Sequence, residues 1–332
     1  MILFWVIKIK VINDREEIQM KYTTLKKTTL KISEIGLGTN AVGGHNLFQN
    51  LNEADGIELV RKALNNGVNF IDTADIYGLG RSEELVGEVL KEFSRDDFVI
   101  ATKGGQHWFE DGSVKKDNHP DYLREAVEKS LQRLQLDYVD LYYLHFPDNE
   151  TPFAESIGEL ARLKEEGKIR AIGISNVSIQ QLKEANAHGD ISVLQSPYNM
   201  LDRSAEAELL PYCIKNDISF IPYGPLAFGL LGGGMTKDFK LDERDWRNSV
   251  HLFQGEKFSQ TLVRVDKLKG IASQKETSLA NLALAWLLGQ EGVDAVIPGG
   301  KRKERILENI HASDIILSIE ELNIINGILN NN

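Results

Sequence analysis

Four ionisable side chains of this chain stand at, or just beyond, the ends of three apolar runs. Phe70-Ile-Asp72-Thr-Ala-Asp-Ile-Tyr77-Gly78 ends one run in a carboxylate and places a tyrosine on the glycine-bounded turn that follows. Phe98-Val-Ile-Ala-Thr-Lys103 ends in a lysine, and Asp140-Leu-Tyr-Tyr-Leu-His145 ends in a histidine. Each run reads as a buried strand. Singly, the plain readings win: Asp72 as a helix cap, Tyr77 as a packing ring, Lys103 as a solvated strand end, His145 as a satisfied core histidine. Together at successive strand ends they describe a site. A carbonyl that accepts hydride develops negative charge on its oxygen and needs a proton donor there. Tyr77 can serve if a nearby Lys103 favours the phenolate and lowers the tyrosine pKa, with Asp72 holding the ammonium in position. His145, neutral or charged, would orient the carbonyl by a hydrogen bond.

A second group has the composition of an anion site. Ile297-Pro-Gly-Gly-Lys301-Arg302-Lys303-Glu-Arg305-Ile-Leu-Glu308-Asn309 feeds a glycine turn into a basic helix start, so backbone N–H groups, the helix dipole and charge-assisted bonds from Lys301, Arg302 and Arg305 all favour a phosphate. For Lys303 a solvated helix face explains the residue as well. Ser175-Asn176 and Gln195 end two further apolar runs and offer the hydroxyl and amide groups that hold a carboxamide. Tyr223 ends another and has a ring to stack on a nicotinamide, and Gly224-Pro-Leu-Ala-Phe-Gly-Leu-Leu-Gly-Gly-Gly234 leaves room for a pyrophosphate.

The elements that must position these groups form a βα alternation. Eight strand candidates are Ile35–Thr39, Asn69–Asp72, Phe98–Thr102, Tyr138–Leu144, Ala171–Ser175, Val193–Gln195, Ser219–Pro222 and Ala295–Ile297. Between them Glu53–Asn65, Ser82–Phe93, Tyr122–Leu134, Pro152–Glu166, Ile179–Asn186 and Ala205–Asn216 have helical period, with Gly67, Gly167 and Gly189 among the helix stops. The pattern predicts an α/β chain, a (β/α)8 TIM barrel whose strand C-termini face one mouth. A doubly wound sheet is the alternative, though no Gly-x-Gly-x-x-Gly follows the first strand. Thr23–Ser33 predicts an N-terminal hairpin plugging the barrel floor. A long insertion, Gly224 to Gly292, precedes the eighth strand, and Ser318–Leu329 adds a C-terminal helix. The mouth loops are His45–Asn52, Gln106–His119 and residues 225–258, with Trp108, Phe109 and Phe228 as candidate pocket walls.

With 332 residues, 42% of them hydrophobic, the chain can bury a large core, and no low-complexity linker divides it. A net charge of −11 excludes a general nucleic-acid binder, and a single cysteine, Cys213, excludes an internal disulfide and a cysteine metal cluster. A reducing cytoplasm fits. Met1–Val11 is apolar but too short to span a bilayer and lacks the marks of a signal peptide. Residues 1–19 are expected to be a non-native or disordered extension, because Met20 begins a plausible start and Arg15-Glu16-Glu17 can be encoded like a ribosome-binding site. Residues 20–332 are expected to form a single barrel domain, with no oligomeric partner evident.

From about Leu25 to the C-terminus the chain resembles the aldo-keto reductase superfamily. The resemblance rests on Gly36-Leu-Gly-Thr39, Asp72-Thr-Ala-Asp-Ile-Tyr77-Gly, Ala101-Thr-Lys103, Asp140-Leu-Tyr-Tyr-Leu-His145, Ile172-Gly-Ile-Ser175-Asn176 and Glu308-Asn309. Gly38-Thr-Asn-Ala-Val-Gly-Gly-His-Asn46 and Pro298-Gly-Gly-Lys look most like the IolS-type oxidoreductases of bacterial myo-inositol operons. The resemblance implies a (β/α)8 barrel binding NADP(H) without a Rossmann fold, the catalytic tetrad Asp72, Tyr77, Lys103 and His145, and a small carbonyl or alcohol substrate. It carries cofactor contacts onto Thr39, Asn40, Asp72, Ser175, Asn176, Gln195, Tyr223, Gly224, Pro225, Leu226, Ala227, Arg247, Gly299, Lys301, Arg302, Arg305, Glu308 and Asn309. Lys301, Arg302 and Arg305 become the 2′-phosphate site, which favours NADP over NAD. Gly234 and Val177 depart from the family, which commonly has Lys and Phe there, and the first departure removes a pyrophosphate contact. The rival expectation is a cofactor-sensing subunit on the same fold, resembling the potassium-channel β-subunits, with vestigial catalysis.

Overall fold

The alternation of apolar residues along each strand decides which side chains reach the barrel interior. The computed structural model describes residues 20–109, 111–243, 245–302 and 304–330, so the 1–19 extension and Lys303 lie outside the described residues. The hairpin is β1 (Tyr22–Thr24) and β2 (Lys31–Ser33), and the sheet strands begin with β3 (Leu37–Gly38), β4 (Phe70–Asp72) and β5 (Val99–Gly104). A second hairpin, β6 (Gln106–Trp108) and β7 (Val114–Lys116), follows. The remaining strands are β8 (Val139–Leu144), β9 (Ile169–Ser175), β10 (Ile191–Pro197) and β11 (Ser219–Tyr223). The main sheet is parallel, in the order β11-β10-β9-β8-β5-β4-β3.

Leu25 and Ile32 of the hairpin pack with Phe70, Val99, Ala101, Leu141, Tyr143, Ala171, Val193, Ile221, Ala295 and Ile297 in one buried cluster. These strand residues share a parity, so they fill the barrel while their neighbours Ile71, Ile100, Tyr142, Ile172, Leu194 and Phe220 belong to the larger core that includes the helices. The hairpin plugs the floor as expected. Its turn lacks glycine, and Lys27 takes the left-handed conformation instead, with φ 57°. Lys26 N–H donates to Ser219 Oγ at 2.8 Å, tying the plug to the barrel.

Helices α1 (Glu53–Asn65), α2 (Arg81–Leu90), α3 (Pro120–Leu134), α4 (Phe153–Glu165) and α5 (Ile179–Ala185) lie where the periodicity predicts. The predicted helix at Ala205–Asn216 is instead a 3-10 turn, Ser204–Glu206, followed by α6 (Leu209–Lys215). Pro211 explains the shorter helix, since proline is tolerated only in the first turn. The insertion carries α7 (Gly255–Gln274) and α8 (Leu279–Leu288), and α9 (Glu304–Ile310) and α10 (Ile319–Asn330) end the chain. Cys213 is buried, and burial pushes its thiol up to about 12, in keeping with a packed small residue.

The eighth strand departs from expectation. Residues 293–299 close the barrel through isolated parallel bridges, Phe220 with Val293 on one side, and Ile35 with Val296 and Gly38 with Gly299 on the other. Pro298 has no N–H to donate, which interrupts a regular ladder there. At Gly36 a Cβ would lie 2.8 Å from Phe70 Cδ1 on β4 and 3.1 Å from Ile297 Cγ2 across the seam, so glycine suits the close packing there. Among the described residues no helix is long and apolar enough to cross a membrane.

Candidate active site

The inward parity continues past the last core residue of each strand, and there the side chains become polar. Phe70 is followed on its face by Asp72, Ala101 by Lys103, Tyr143 by His145, Val193 by Gln195 and Ile221 by Tyr223. Parallel register brings Ser175 opposite Gln195. All these positions lie at strand C-terminal ends, so they meet at the mouth.

Lys103 is fully buried, and its ammonium donates to Asp72 Oδ1 at 2.5 Å and to the Thr73 carbonyl at 2.8 Å. The same Nζ lies 3.5 Å from the Tyr77 hydroxyl. Gln195 Nε2 donates to Asp72 Oδ2 at 2.9 Å, so both carboxylate oxygens are occupied. Burial alone would push the lysine pKa down; the Asp72 carboxylate and Tyr77 outweigh it and hold it above the ordinary value. The ammonium therefore stays charged in the interior.

Tyr77 requires a correction. The sequence predicts a lowered phenol pKa, yet the net direction is up, because burial outweighs the pull of Lys103 and Asp72 opposes it. Lys103 limits the rise rather than reversing it. Tyr77 is consequently a protonated donor at neutral pH. His145 is pushed well below its ordinary range by burial and by the Lys103 charge, so it is neutral, and its Nδ1 has no hydrogen-bond partner in the structure. The Tyr77 and His145 rings meet edge-on with centroids 6.2 Å apart.

Around this tetrad, Asn176 Nδ2 donates to the His145 carbonyl at 3.0 Å, and the Tyr223 hydroxyl donates to Asn176 Oδ1 at 2.9 Å. Asn176 itself sits at φ 57°, a conformation asparagine tolerates better than most residues. Thr39 is buried, and its hydroxyl donates to the Asp72 carbonyl at 3.0 Å, bracing the strand beneath the site. Asn40 lies beside the seam, where a Cβ on Gly299 would come within 2.8 Å of Asn40 Oδ1.

Gly224 has φ 62°, and Ala227 N–H donates to the Gly224 carbonyl, which makes Gly224-Pro225-Leu226-Ala227 a closed turn. Arg247 is bound to Asp245 at 2.6 Å and to the Phe228 carbonyl at 3.1 Å. Lys301 and Arg302 are exposed and form no ion pair among the described residues, while Lys301 Nζ lies 4.9 Å from the Phe48 ring centroid. Arg305 pairs with Glu308 at 2.7 Å, and Asn309 is buried. Of the expected pocket walls, Phe109 stacks on His107 and Phe228 packs edge-on against Trp246, whereas Trp108 ends β6.

Sequence reasoning missed one polar residue near Tyr77, Asn46, whose side chain bonds the backbone on both sides of the tyrosine. The signals present were its place in the mouth loop His45–Asn52 and at the end of the Gly38–Asn46 motif, neither of which specifies its partners.

A profile described as the aldo/keto reductase family matches residues 34–330. The chain is 38% identical over 314 residues to aldo-keto reductase YhdN of Bacillus subtilis, covering 94% of each. It is 36% identical to the NADH-specific methylglyoxal reductase of Escherichia coli, covering 90% of this chain and 95% of that protein. The solved structure of the glycerol dehydrogenase AKR11B4 from Gluconobacter oxydans superposes with a TM-score of 0.86 at 33% identity, covering 93% of this chain and 94% of that one.

Proposed function

Since the chain belongs to the aldo/keto reductase family, oxidoreductases that act on carbonyls and alcohols with nicotinamide cofactors, we propose that it interconverts a small aldehyde or ketone and its alcohol using NADP(H), with Tyr77 as general acid and base. The observation that carries this reading is the buried Lys103 ammonium, in reach of both Asp72 and the Tyr77 hydroxyl. A bound nicotinamide cofactor supplies or accepts the hydride.

In reduction, Tyr77 donates its phenolic proton to the carbonyl oxygen as negative charge develops there. Lys103 stabilises the phenolate left behind, and Asp72, held by Gln195, keeps the ammonium in place. Neutral His145 has one ring N–H, which suits a hydrogen bond to the same oxygen. Its orphaned Nδ1 is a polar atom without a protein partner at the mouth.

The residues fit a dinucleotide. Ser175, Asn176 and Gln195 supply carboxamide partners, Tyr223 supplies a ring, and a Cβ at Gly234 or Gly300 would meet nothing within 4 Å. Lys301 and Arg302, exposed and without ion pairs among the described residues, support a 2′-phosphate and thus NADP(H). A second reading, NADH use, is favoured by the NADH-specific methylglyoxal reductase among the relatives. The test is turnover of methylglyoxal, glyceraldehyde and 4-nitrobenzaldehyde with NADPH and with NADH, and of glycerol with the oxidised cofactors. Carbonyl reduction with kcat/KM higher for NADPH is expected. Equal or greater efficiency with NADH overturns the cofactor assignment, and no turnover of any probe overturns the proposal.

A further inference from the structure

Tyr77 stands on an irregular turn after β4, so a strand ladder does not hold its backbone. Tyr77 N–H donates to the Ala74 carbonyl at 3.2 Å and the Tyr77 carbonyl accepts from Ser82 N–H at 3.1 Å. The flanking groups are held from another loop. Asn46 Nδ2 donates to the Ile76 carbonyl at 2.9 Å, and Asn46 Oδ1 accepts from Gly78 N–H at 2.8 Å. A single amide side chain thus clamps the peptide groups immediately before and after the tyrosine.

The loop bearing Asn46 is itself anchored. His45 Nε2 lies 3.0 Å from Glu53 Oε1, and Arg81 binds both Glu53 oxygens at 3.0 and 2.9 Å. Gly78 fits against this loop only without a side chain, because its Cβ would lie 1.9 Å from the Gly43 carbonyl oxygen. The Asn46 amide is suited to the task because it carries both a donor and an acceptor.

We propose that Asn46 is the positioning residue of the general acid: its paired bonds to Ile76 and Gly78 set the direction of the Tyr77 hydroxyl and couple the substrate mouth loop to proton transfer. The inference rests on the reading of Tyr77 as proton donor. Proton transfer is sensitive to small misplacements of the donor, so loosening the clamp lowers kcat while leaving the proposed cofactor contacts at Ser175, Asn176, Gln195 and Tyr223 alone.

The experiment compares wild type, Asn46→Ala, Asn46→Asp, Tyr77→Phe and the Asn46→Ala/Tyr77→Phe double variant, using whichever of methylglyoxal, glyceraldehyde and 4-nitrobenzaldehyde turns over fastest. Asn46→Ala is expected to lower kcat on the order of tenfold, ~1.4 kcal/mol, with cofactor Kd unchanged within about twofold. Asn46→Asp keeps the acceptor for Gly78 N–H and loses the donor to Ile76, so its kcat falls between the two. In the Tyr77→Phe background, Asn46→Ala should have no further effect. Wild-type kcat in Asn46→Ala, or equal additional losses with and without Tyr77, would overturn the proposal. Full activity in Tyr77→Phe would instead overturn the tetrad reading, so the two failures are distinguishable.

Discussion

At the scale of single residues, the site is governed by a charge that burial alone would neutralise. Lys103 keeps its proton because Asp72 and Tyr77 outweigh the cost of burial, and Tyr77 stays a phenol because burial outweighs Lys103. Lys103→Met removes the one group that pulls the tyrosine pKa down. The phenol should become a weaker acid still, reduction should slow by roughly a hundredfold, and the alkaline rise of alcohol oxidation should move to higher pH. Measured pH profiles of kcat in both directions check this, and unchanged profiles would show Lys103 to be a bystander. His145 makes a separate claim about stability. Its native pKa lies well below the ordinary 6.5 because burial and Lys103 disfavour the imidazolium. Below about pH 6.5 the unfolded chain binds a proton that the native site refuses, so stability falls as the solution is acidified. Between pH 7.5 and 5.5 the wild type should lose about 1 kcal/mol more unfolding free energy than His145→Asn. Urea unfolding at the two pH values reads the difference; an identical loss in both proteins would mean that His145 is not held neutral.

At the scale of elements, the basic segment after the seam acts through charge more than through its helix. α9 has only seven residues, and Arg305 is already paired with Glu308, which leaves Lys301 and Arg302 as the available cations among the described residues. Replacing Lys301, Arg302 and Arg305 together by alanine should weaken NADPH binding by a hundredfold or more, since charge-assisted bonds contribute about 1.5–3 kcal/mol each. NADH binding should change only a few fold. Fluorescence titration of both cofactors tests this; equal affinity for NADPH before and after would place the 2′-phosphate elsewhere. The strand ends were legible because inward parity is a local property: Asp72, Lys103, His145, Gln195 and Tyr223 each follow a core residue of the same face. The Gln195 bond to Asp72 was not legible, because it joins residues on non-adjacent strands across the barrel. The same holds for Asn46, whose partners Ile76 and Gly78 are chosen by loop packing. For the hairpin β6–β7 the sequence predicts only a mouth loop, since a strand of three residues is too short to show a period. The net direction of the Tyr77 shift depends on depth of burial, which no spacing reveals.

At the scale of the whole molecule, the barrel is held unevenly. Seven strands pair through parallel ladders, and the closure between β11 and β3 relies on isolated bridges at Val293, Val296 and Gly299. The N–H groups of Gly36, Gly38 and Val296 donate to Val296, Pro298 and Glu34 carbonyls across this closure. The proposed cofactor residues Gly299 and Lys301 continue directly from it. A region with few backbone bonds opens more readily than its surroundings, and a ligand that binds only the closed form suppresses the opening. Amide hydrogen exchange at Gly36, Gly38 and Val296 should therefore be faster than at β8 and β9 in the free protein and should slow when NADPH is added. Exchange that ignores the cofactor would separate the closure from the binding site. If the slowing is found, the cofactor is the eighth stave's fastening: the barrel breathes along one line, and occupancy of the site is recorded in how tightly that line is shut.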